Sequence, residues 1–302
     1  MIVLTDHFAT IRRLVGHLGA QTIAGDVELV VACPSAKDFE FPADAADPLA
    51  RVTVVESPLL PLGPARAVAV RAATASIIVL GETHAFPAPD WAEQLLRAHE
   101  GPWQAVSPGM ENGNPESARS WSGFLMDYGR WLAERPAGEI TEPPAYNASW
   151  KREALLGLQD RLAFMLEPGG PMDQGIVSRG SVFRHEPGAR VAHLNVARLG
   201  AWAAERYCGG RLFGARRCRE WSLPRRLVYC AGSGLVPLIR FVRTRPAIAL
   251  ARGARDLPRG TVAAVAGGSL LWAVGEAMGY LAGEGPSEAR MAEYELHKEA
   301  YG

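Results

Sequence analysis

Four short apolar runs alternate with helix-like segments over the first 80 residues, and this alternation is the strongest constraint on the fold. The runs cover residues 2–4, 27–32, 52–55 and 77–80. They consist mostly of β-branched and aliphatic residues, a composition typical of short strands covered on both faces. Parallel strands need a helical crossover between them, so the alternation predicts βαβ units. We therefore expect an α/β domain with a mostly parallel sheet and helices on both faces.

Composition sets outer limits on what the chain can be. With 302 residues, 48% of them hydrophobic, it can bury the core of one large domain or two smaller ones. The net charge is zero, so the composition does not indicate a nucleic-acid partner. No GxGxxG sequence follows the first apolar run, which argues against a dinucleotide-binding fold. The four cysteines show no CxxC spacing, which favours a reducing compartment.

The segment 76–91, SIIVLGETHAFPAPDW, holds the first candidate site. Its apolar run stops at Gly81, and Glu82 and His84 follow directly. Open α/β sheets bind ligands in the crevice outside the carboxyl ends of their strands, where these two side chains are expected. A carboxylate and an imidazole two residues apart can approach one cation or one phosphate. A solvated turn with two incidental polar residues is the alternative interpretation.

Further candidates lie in other polar segments and at predicted element ends. Thr5 follows the first strand, and Arg66 lies on an alanine-rich helix, where a surface arginine is the alternative. Asn147 precedes a predicted helix and could simply cap it. His193 ends the last predicted strand, where an imidazole can serve as a ligand or as a structural side chain.

The order of these features resembles glycosyltransferase family 2 with the GT-A (Rossmann-like) fold, over residues 1–195. The features are an apolar strand with a polar exit, the Ala65-Arg66 helix, a strand with an acidic exit, PDW, an NxS sequence with a basic pair, and a strand ending in His. The resemblance implies transfer of a sugar from a nucleotide-diphosphate donor, usually with inversion, using a divalent metal held by a DxD motif. It also implies which residues bind the donor and the metal. Expected at the donor are Thr5, Arg66, Glu82, Asn147 and Lys151, and at the metal Glu82, His84 and His193.

The DxD position here reads Glu82-Thr83-His84, similar to the acidic-x-His version of one branch of the family. Imidazole is a poor ligand for Mg²⁺, so this variant shifts the expected cofactor from Mg²⁺ toward Mn²⁺ or another transition ion. Other positions depart from the family pattern. Ala32-Cys33 replaces an acidic pair, Ala67 replaces the asparagine after Arg66, and Tyr146 stands where the branch usually has His.

The catalytic base is the least defined of the residues implied by the resemblance. The family's acidic position corresponds to Gly169, and Glu167 and Asp173 flank it. Either carboxylate could take the proton of the acceptor hydroxyl. If neither does, the chain is a degenerate GT-A domain that serves as a binding or scaffold subunit. A sugar-phosphate nucleotidyltransferase is a further alternative, but it would need a Gly-rich nucleotide loop after the first strand, which is missing.

The composition changes after about residue 200, so we predict one domain over residues 1–200 and a helical region over 201–302. Thirteen arginines, no lysine and two acidic residues lie between Arg206 and Arg259. Residues 227–239 are uncharged but shorter than the roughly 20 that a membrane span needs. Residues 260–283 are longer, but Glu276 and several glycines interrupt them.

This pattern favours helices that lie on an anionic membrane surface. A buried helical hairpin and a surface for a protein partner are the alternatives. The sequence shows no signal peptide, so we expect the chain at the cytoplasmic face of the cell membrane. A lipid-linked or envelope glycan would then be its acceptor.

Overall fold

The computed structural model describes residues 1–167 and 182–302, and these residues form two compact units. The first, here called the sheet unit, comprises Met1–Glu111 and Trp131–His193. The second, the helical unit, comprises Asn112–Arg130 and Leu194–Gly302. The predicted division at residue 200 stays a prediction, because compactness does not show which segments fold alone.

Most of the strands are short, as the apolar runs predict. In chain order they are β1 Ile2–Leu4, β2 Glu28–Cys33, β3 Arg51–Glu56, β4 Ile77–Val79, β5 Ala85–Pro87, β6 Ala105–Asn112, β7 Gly138–Ile140, β8 Ser149–Lys151 and β9 Phe183–His193. The helices up to β9 are α1 Phe8–Gly19, α2 Ala43–Ala46, α3 Leu62–Ala72, α4 Trp91–His99, α5 Ala118–Asp127, α6 Arg152–Leu156 and α7 Leu162–Met165. Of these, α5 belongs to the helical unit.

The first half of the predicted sheet is parallel. The strands β1, β2 and β3 lie side by side in that order, with Ile2 opposite Val30 and Val30 opposite Thr53. A parallel bridge between Ile2 and Leu80 places the end of β4 beside β1. All six residues of β2 are buried, as expected for a strand covered on both faces.

The prediction of a mostly parallel sheet is wrong for the second half. There β4, β8, β6, β9 and β5 are neighbours in that order, and β7 also pairs with β9. The pairs β4–β8, β6–β8, β5–β9 and β7–β9 are all antiparallel. Because β8 runs antiparallel to both of its neighbours, no helical crossover is needed to connect them. A regular alternation of strands and helices therefore does not mark this half of the sheet in the sequence. The fold is therefore mixed α/β.

The predicted arginine-rich C-terminal helices are present. They are α8 Leu199–Arg217, α9 Leu223–Gly232, α10 Val236–Ala254, α11 Thr261–Ala282 and α12 Ser287–Leu296. Where the structure describes the chain, α11 is the one helix with the length and composition to cross a membrane, and 39% of its apolar window is buried within the protein. Its packing against α8 is close, since a Cβ on Gly275 would lie 2.1 Å from the Tyr207 carbonyl oxygen.

Candidate metal and donor site

Two strand ends bring the candidate metal ligands together in the sheet unit. After the bridge at Leu80 the chain turns at Gly81, where a Cβ would lie 2.8 Å from the Ile2 carbonyl oxygen, so only glycine fits without a shift. The chain then enters β5, in which Ala85 is the antiparallel partner of His193. This register places His84, the residue before Ala85, beside His193.

The three side chains form one buried cluster. The Nε2 atoms of His84 and His193 are 3.1 Å apart. Glu82 Oε1 lies 3.7 Å from His84 Nε2, and Glu82 Oε2 lies 3.4 Å from His193 Nε2. None of the three residues is more than 4% exposed. The candidate ligand atoms all lie within 4.8 Å of one another, so one ion can contact all three.

These separations fit a shared cation. Two ligand atoms about 2.1 Å from one ion are about 3.0 Å apart at a right angle and about 3.4 Å apart at a tetrahedral angle. The distances of 3.1 and 3.4 Å lie at these values, and the 3.7 Å from His84 Nε2 to Glu82 Oε1 lies slightly above them. The donor set of two imidazoles and one carboxylate suits a transition ion better than Mg²⁺. A cation would also compensate a carboxylate that is almost fully buried, which is otherwise costly.

Neighbouring side chains hold the ligands in place. Asn147 Nδ2 donates to Glu82 Oε2 at 2.6 Å, and the backbone of Asn147 is left-handed, with φ of 63°. Thr83 Oγ1 lies 3.2 Å from His84 Nδ1, so a second hydrogen bond orients the ring whose Nε2 faces the cluster. Asn147 does not cap α6, because that helix begins only at Arg152, after Lys151. The structure thus places Asn147 at the candidate site.

Arg66 is buried, and the surface alternative for this residue is wrong. It lies on α3 and is 4% exposed. Its Nη1 donates to the Tyr146 hydroxyl at 2.8 Å and to the Leu166 carbonyl oxygen at 3.1 Å, and its guanidinium carbon lies 4.1 Å from the centre of the Tyr146 ring. Tyr146 precedes Asn147 in the chain, so adjacent residues contact Arg66 and Glu82.

Of the two candidate bases, the structure describes one. The Glu167 carboxylate accepts a hydrogen bond of 2.7 Å from the Gly63 amide in the first turn of α3, the helix that carries Arg66. Asp173 lies outside the described residues, as does Gly169. The role of either carboxylate as a base stays a prediction.

Two predicted donor-binding residues are positioned differently. Thr5 is buried at the end of β1, where its amide donates to the Ala32 carbonyl oxygen and its hydroxyl to the His7 carbonyl oxygen, each at 3.0 Å. Lys151 is the partner of Ile77, at the end of β4 away from Glu82, and its ammonium donates to the Gly101 carbonyl oxygen at 3.4 Å. The structure does not bring Lys151 to the Glu82 cluster, and the donor-binding role of both residues stays a prediction.

Sequence reasoning missed the supporting roles of Thr83 and Tyr146. Tyr146 stood out only as a departure from the family pattern, and Thr83 only as the middle residue of a motif. Their positions in the sequence could have indicated these roles, because Thr83 and Tyr146 each carry a hydroxyl and directly precede a candidate site residue. The partners of these hydroxyls depend on tertiary structure, which the sequence alone did not reveal.

Comparison with known proteins gives likeness of fold only. The sequence matches no protein-family model and no curated protein. Among solved structures, it is similar to the mannosyltransferase PcManGT from Pyrobaculum calidifontis in complex with GDP-Man and Mn²⁺, with 18% identity and a TM-score of 0.48, covering 99% of this chain and 87% of that one. It is also similar to S. aureus TarS 1-349 in complex with UDP, with 15% identity and a TM-score of 0.42, covering 70% of this chain and 63% of that one.

A third similar structure is GalNAc-T7 with UDP, GalNAc and Mn²⁺, with 14% identity and a TM-score of 0.40, covering 64% of this chain and 43% of that one. The chain therefore spans less than two thirds of the length of the TarS fragment and of GalNAc-T7. At these identities and scores the likeness concerns the course of the backbone and does not extend to substrates.

Proposed function

We propose that this chain is a metal-dependent glycosyltransferase that moves a sugar from a nucleoside-diphosphate donor to a lipid-linked or envelope glycan at the cytoplasmic face of the cell membrane, with inversion. The observation that carries the proposal is the buried cluster of Glu82, His84 and His193. A metal held by these three side chains would have further coordination positions for oxygen atoms of a diphosphate.

Glu82, His84 and His193 would hold the metal, and its chemistry there is to neutralise charge on the departing nucleoside diphosphate. Asn147 fixes the orientation of the Glu82 carboxylate through its 2.6 Å hydrogen bond. Arg66 adds a permanent positive charge in a planar fork that matches phosphate oxygens. Its contacts with Tyr146 and Leu166 hold the guanidinium in one orientation before any donor arrives.

The chemical step needs one base. We assign it to a carboxylate on the acceptor side, Glu167 or Asp173, which takes the proton of the acceptor hydroxyl as that oxygen attacks the anomeric carbon. The bond from the anomeric carbon to the diphosphate oxygen breaks as the new glycosidic bond forms. The nucleoside diphosphate leaves with the bonding electrons, so one displacement inverts the anomeric centre.

A degenerate GT-A domain that serves as a binding or scaffold subunit is the second candidate. The contact of Glu167 with the Gly63 amide favours it, because this carboxylate already accepts a hydrogen bond from the backbone of the same unit. This candidate binds a nucleotide sugar, or nothing, and lacks turnover.

Metal binding by calorimetry, followed by donor binding and donor hydrolysis, tests the proposal. Wild-type protein should bind one Mn²⁺ more tightly than Mg²⁺ and should hydrolyse one of a panel of UDP- and GDP-sugars slowly. Glu82→Gln and His193→Gln each remove a ligand and should weaken Mn²⁺ binding by at least about tenfold. His185→Gln is the matched control, since His185 is also buried but bonds the Leu132 carbonyl oxygen instead.

The outcomes separate the two candidates. Metal and donor binding with turnover supports the transferase. Metal and donor binding without turnover on any donor or acceptor supports the binding subunit and overturns the transferase. Equal Mn²⁺ affinity in wild type, Glu82→Gln and His193→Gln would show that the cluster is not the metal site.

A further inference from the structure

One side of a long helical segment in the helical unit is apolar and exposed. This segment consists of α9, a 3₁₀ turn over Ser233–Leu235, and α10. The residues at the two junctions have right-handed helical dihedral angles, so the segment is helical throughout. No residue of α9 is buried, and the buried residues of α10 lie only between Thr244 and Ala251. Of the first 20 residues of this segment, Ser233 alone is buried, so much of their surface faces outward. Seven large apolar side chains, 44 to 68% exposed, cover it: Leu223, Leu227, Val228, Leu235, Leu238, Ile239 and Val242.

The seven side chains share one side of the helix, and we call them the apolar face. At about 100° per residue, Leu223, Leu227 and Val228 fall within a sector of about 140° on α9, and Leu238, Ile239 and Val242 fall within about 100° on α10. The buried residues of α10, from Thr244 to Ala251, fall in the sector opposite to Leu238, Ile239 and Val242. Soluble proteins rarely leave so long an apolar stripe in water, so the apolar face indicates a surface that is covered by a partner.

Arginines accompany the apolar face. Arg225, Arg243 and Arg245 lie on the same segment and are exposed. In the described parts of the chain, none of these three forms an ion pair, while Arg225 lies 4.1 Å from the centre of the Trp221 ring. Only two acidic residues fall between Arg206 and Arg259. The segment that carries the apolar face is thus positively charged and suits an anionic partner.

These two properties together select one kind of partner. A bilayer with anionic lipids takes up an apolar helix side among its acyl chains while its phosphates contact arginines. A second copy of this chain fits less well, because two apolar faces in contact would also bring arginine against arginine. A crossing of the bilayer does not fit, since Thr244, Ala247 and Ile248 are buried on the other side of the same helix.

We propose that the apolar face binds the surface of an anionic bilayer, with α9 and the first turns of α10 lying in the plane of the interface. The predicted membrane association thereby gains a defined surface and an orientation. It does not depend on the transferase activity, because it uses residues of the helical unit only.

Vesicle flotation of the full chain tests this proposal. The probes are vesicles of phosphatidylcholine alone and of phosphatidylcholine with phosphatidylglycerol. Wild type should float with the anionic vesicles and should be released by high salt. Leu235→Ser with Leu238→Ser should reduce partitioning by more than tenfold, since each change removes an apolar side chain that would be buried among the acyl chains. Leu199→Ser on α8 is the matched control, because Leu199 and Leu238 are equally exposed, at 64%.

The arginine contribution is tested separately. Arg243→Gln with Arg245→Gln should lower partitioning to anionic vesicles by on the order of tenfold and leave the weak binding to neutral vesicles unchanged. Urea midpoints equal to wild type would show that these variants remain folded.

Several results would overturn the proposal. Unchanged flotation of the double leucine variant would do so, as would equal binding of wild type to neutral and anionic vesicles. Wild type that resists alkaline extraction from membranes would indicate a spanning helix instead. A concentration-dependent dimer that the double leucine variant loses would identify a second copy as the partner.

Discussion

At the scale of single residues, His99 couples the stability of the sheet unit to pH. It is 8% exposed, and its Nε2 lies 2.9 Å from Ser149 Oγ. Burial, with the nearby positive charge of Lys151, lowers the pKa of His99 to about 4. In the unfolded chain the imidazole takes up its proton near pH 6.5. Between these values the unfolded state binds more protons, so the free energy of unfolding falls as pH falls from about 6.5 to about 4.

We therefore expect His99→Gln to flatten part of this pH dependence. Between about pH 7 and about pH 5, the free energy of unfolding of wild type should fall by about 2 kcal/mol more than that of the variant. Urea midpoints across this range measure it. His7→Gln is the control, because the His7 side chain is 73% exposed, and it should keep the wild-type pH profile. An unchanged profile in His99→Gln would show that His99 is not a source of acid sensitivity.

The sequence predicted which residues belong to the candidate site, but it did not predict the contacts between them. Glu82, His84 and His193 were each expected at a strand end, and the structure brings them together. The distance between His84 and His193 depends on the register of β5 against β9, which no local pattern encodes. For Lys151 the sequence pattern was misleading about its position. This residue belongs to the motif that the resemblance assigns to donor binding, but it pairs with Ile77, at the end of β4 away from Glu82. The chemical roles of all these residues remain predictions.

At the scale of elements, the contact between α8 and α11 depends on residues without side chains. A Cβ on Gly210 would lie 2.1 Å from the Trp272 carbonyl oxygen, and one on Gly214 would lie 2.4 Å from that of Glu276. Backbone atoms cannot move aside as a flexible side chain can. We expect Gly210→Ala to lower the free energy of unfolding of the helical unit by about 3 kcal/mol, because the two helices must separate.

Gly253→Ala on α10 is the control for this prediction. A Cβ there would meet no atom within 4 Å, so alanine should change stability by no more than about 1 kcal/mol and in the stabilising direction. Urea unfolding followed by circular dichroism gives both values. If Gly210→Ala were as stable as wild type, α8 and α11 would not pack as closely as the structure shows.

Elements with a strong local pattern were predictable, and those defined by distant partners were not. The apolar runs gave β1 to β4, and the long apolar stretch near residue 270 corresponds to α11. By contrast, the sequence Ser-Trp-Lys of β8 does not form an apolar run, and β8 was not recognised as a strand. It forms because it lies between β4 and β6, and its position in the antiparallel half of the sheet is why the parallel prediction failed.

At the scale of the whole molecule, the helical unit draws together distant parts of the chain. Its segment Asn112–Arg130 comes from the middle of the chain, and its other segment is C-terminal. The Arg206 guanidinium joins them, because it lies 2.8 Å from both the Asp127 and the Glu205 carboxylates. The Lys298 ammonium lies 3.8 Å from Glu205. No local sequence pattern links residues so far apart, which is why sequence reasoning did not group them.

This network is the basis of the final prediction. The side chains of Arg206 and Glu205 are each 5% exposed, whereas that of Asp127 is 39% exposed. Burial alone would raise the pKa of the Asp127 carboxyl, but the charge of Arg206 outweighs it and holds this pKa below its ordinary value. Among the residues that the structure describes, Arg206→Met would leave the buried Glu205 with only the more distant Lys298 to balance its charge. We expect a loss of about 3 kcal/mol in the free energy of unfolding, as for other buried pairs with one partner removed.

Comparison variants show whether this loss comes from the buried charge. Asp127→Asn should lose no more than about 1 kcal/mol, because the Asp127 side chain is 39% exposed and water screens its charge. Arg97→Met, which removes the exposed i,i+4 pair with Glu93, should change stability by less than about 0.5 kcal/mol. Adding Glu205→Gln to Arg206→Met removes the uncompensated charge and should recover a large part of the loss, which a double-mutant cycle in urea measures. If the double variant were as unstable as Arg206→Met, lost packing of the arginine side chain would explain the effect instead of its charge.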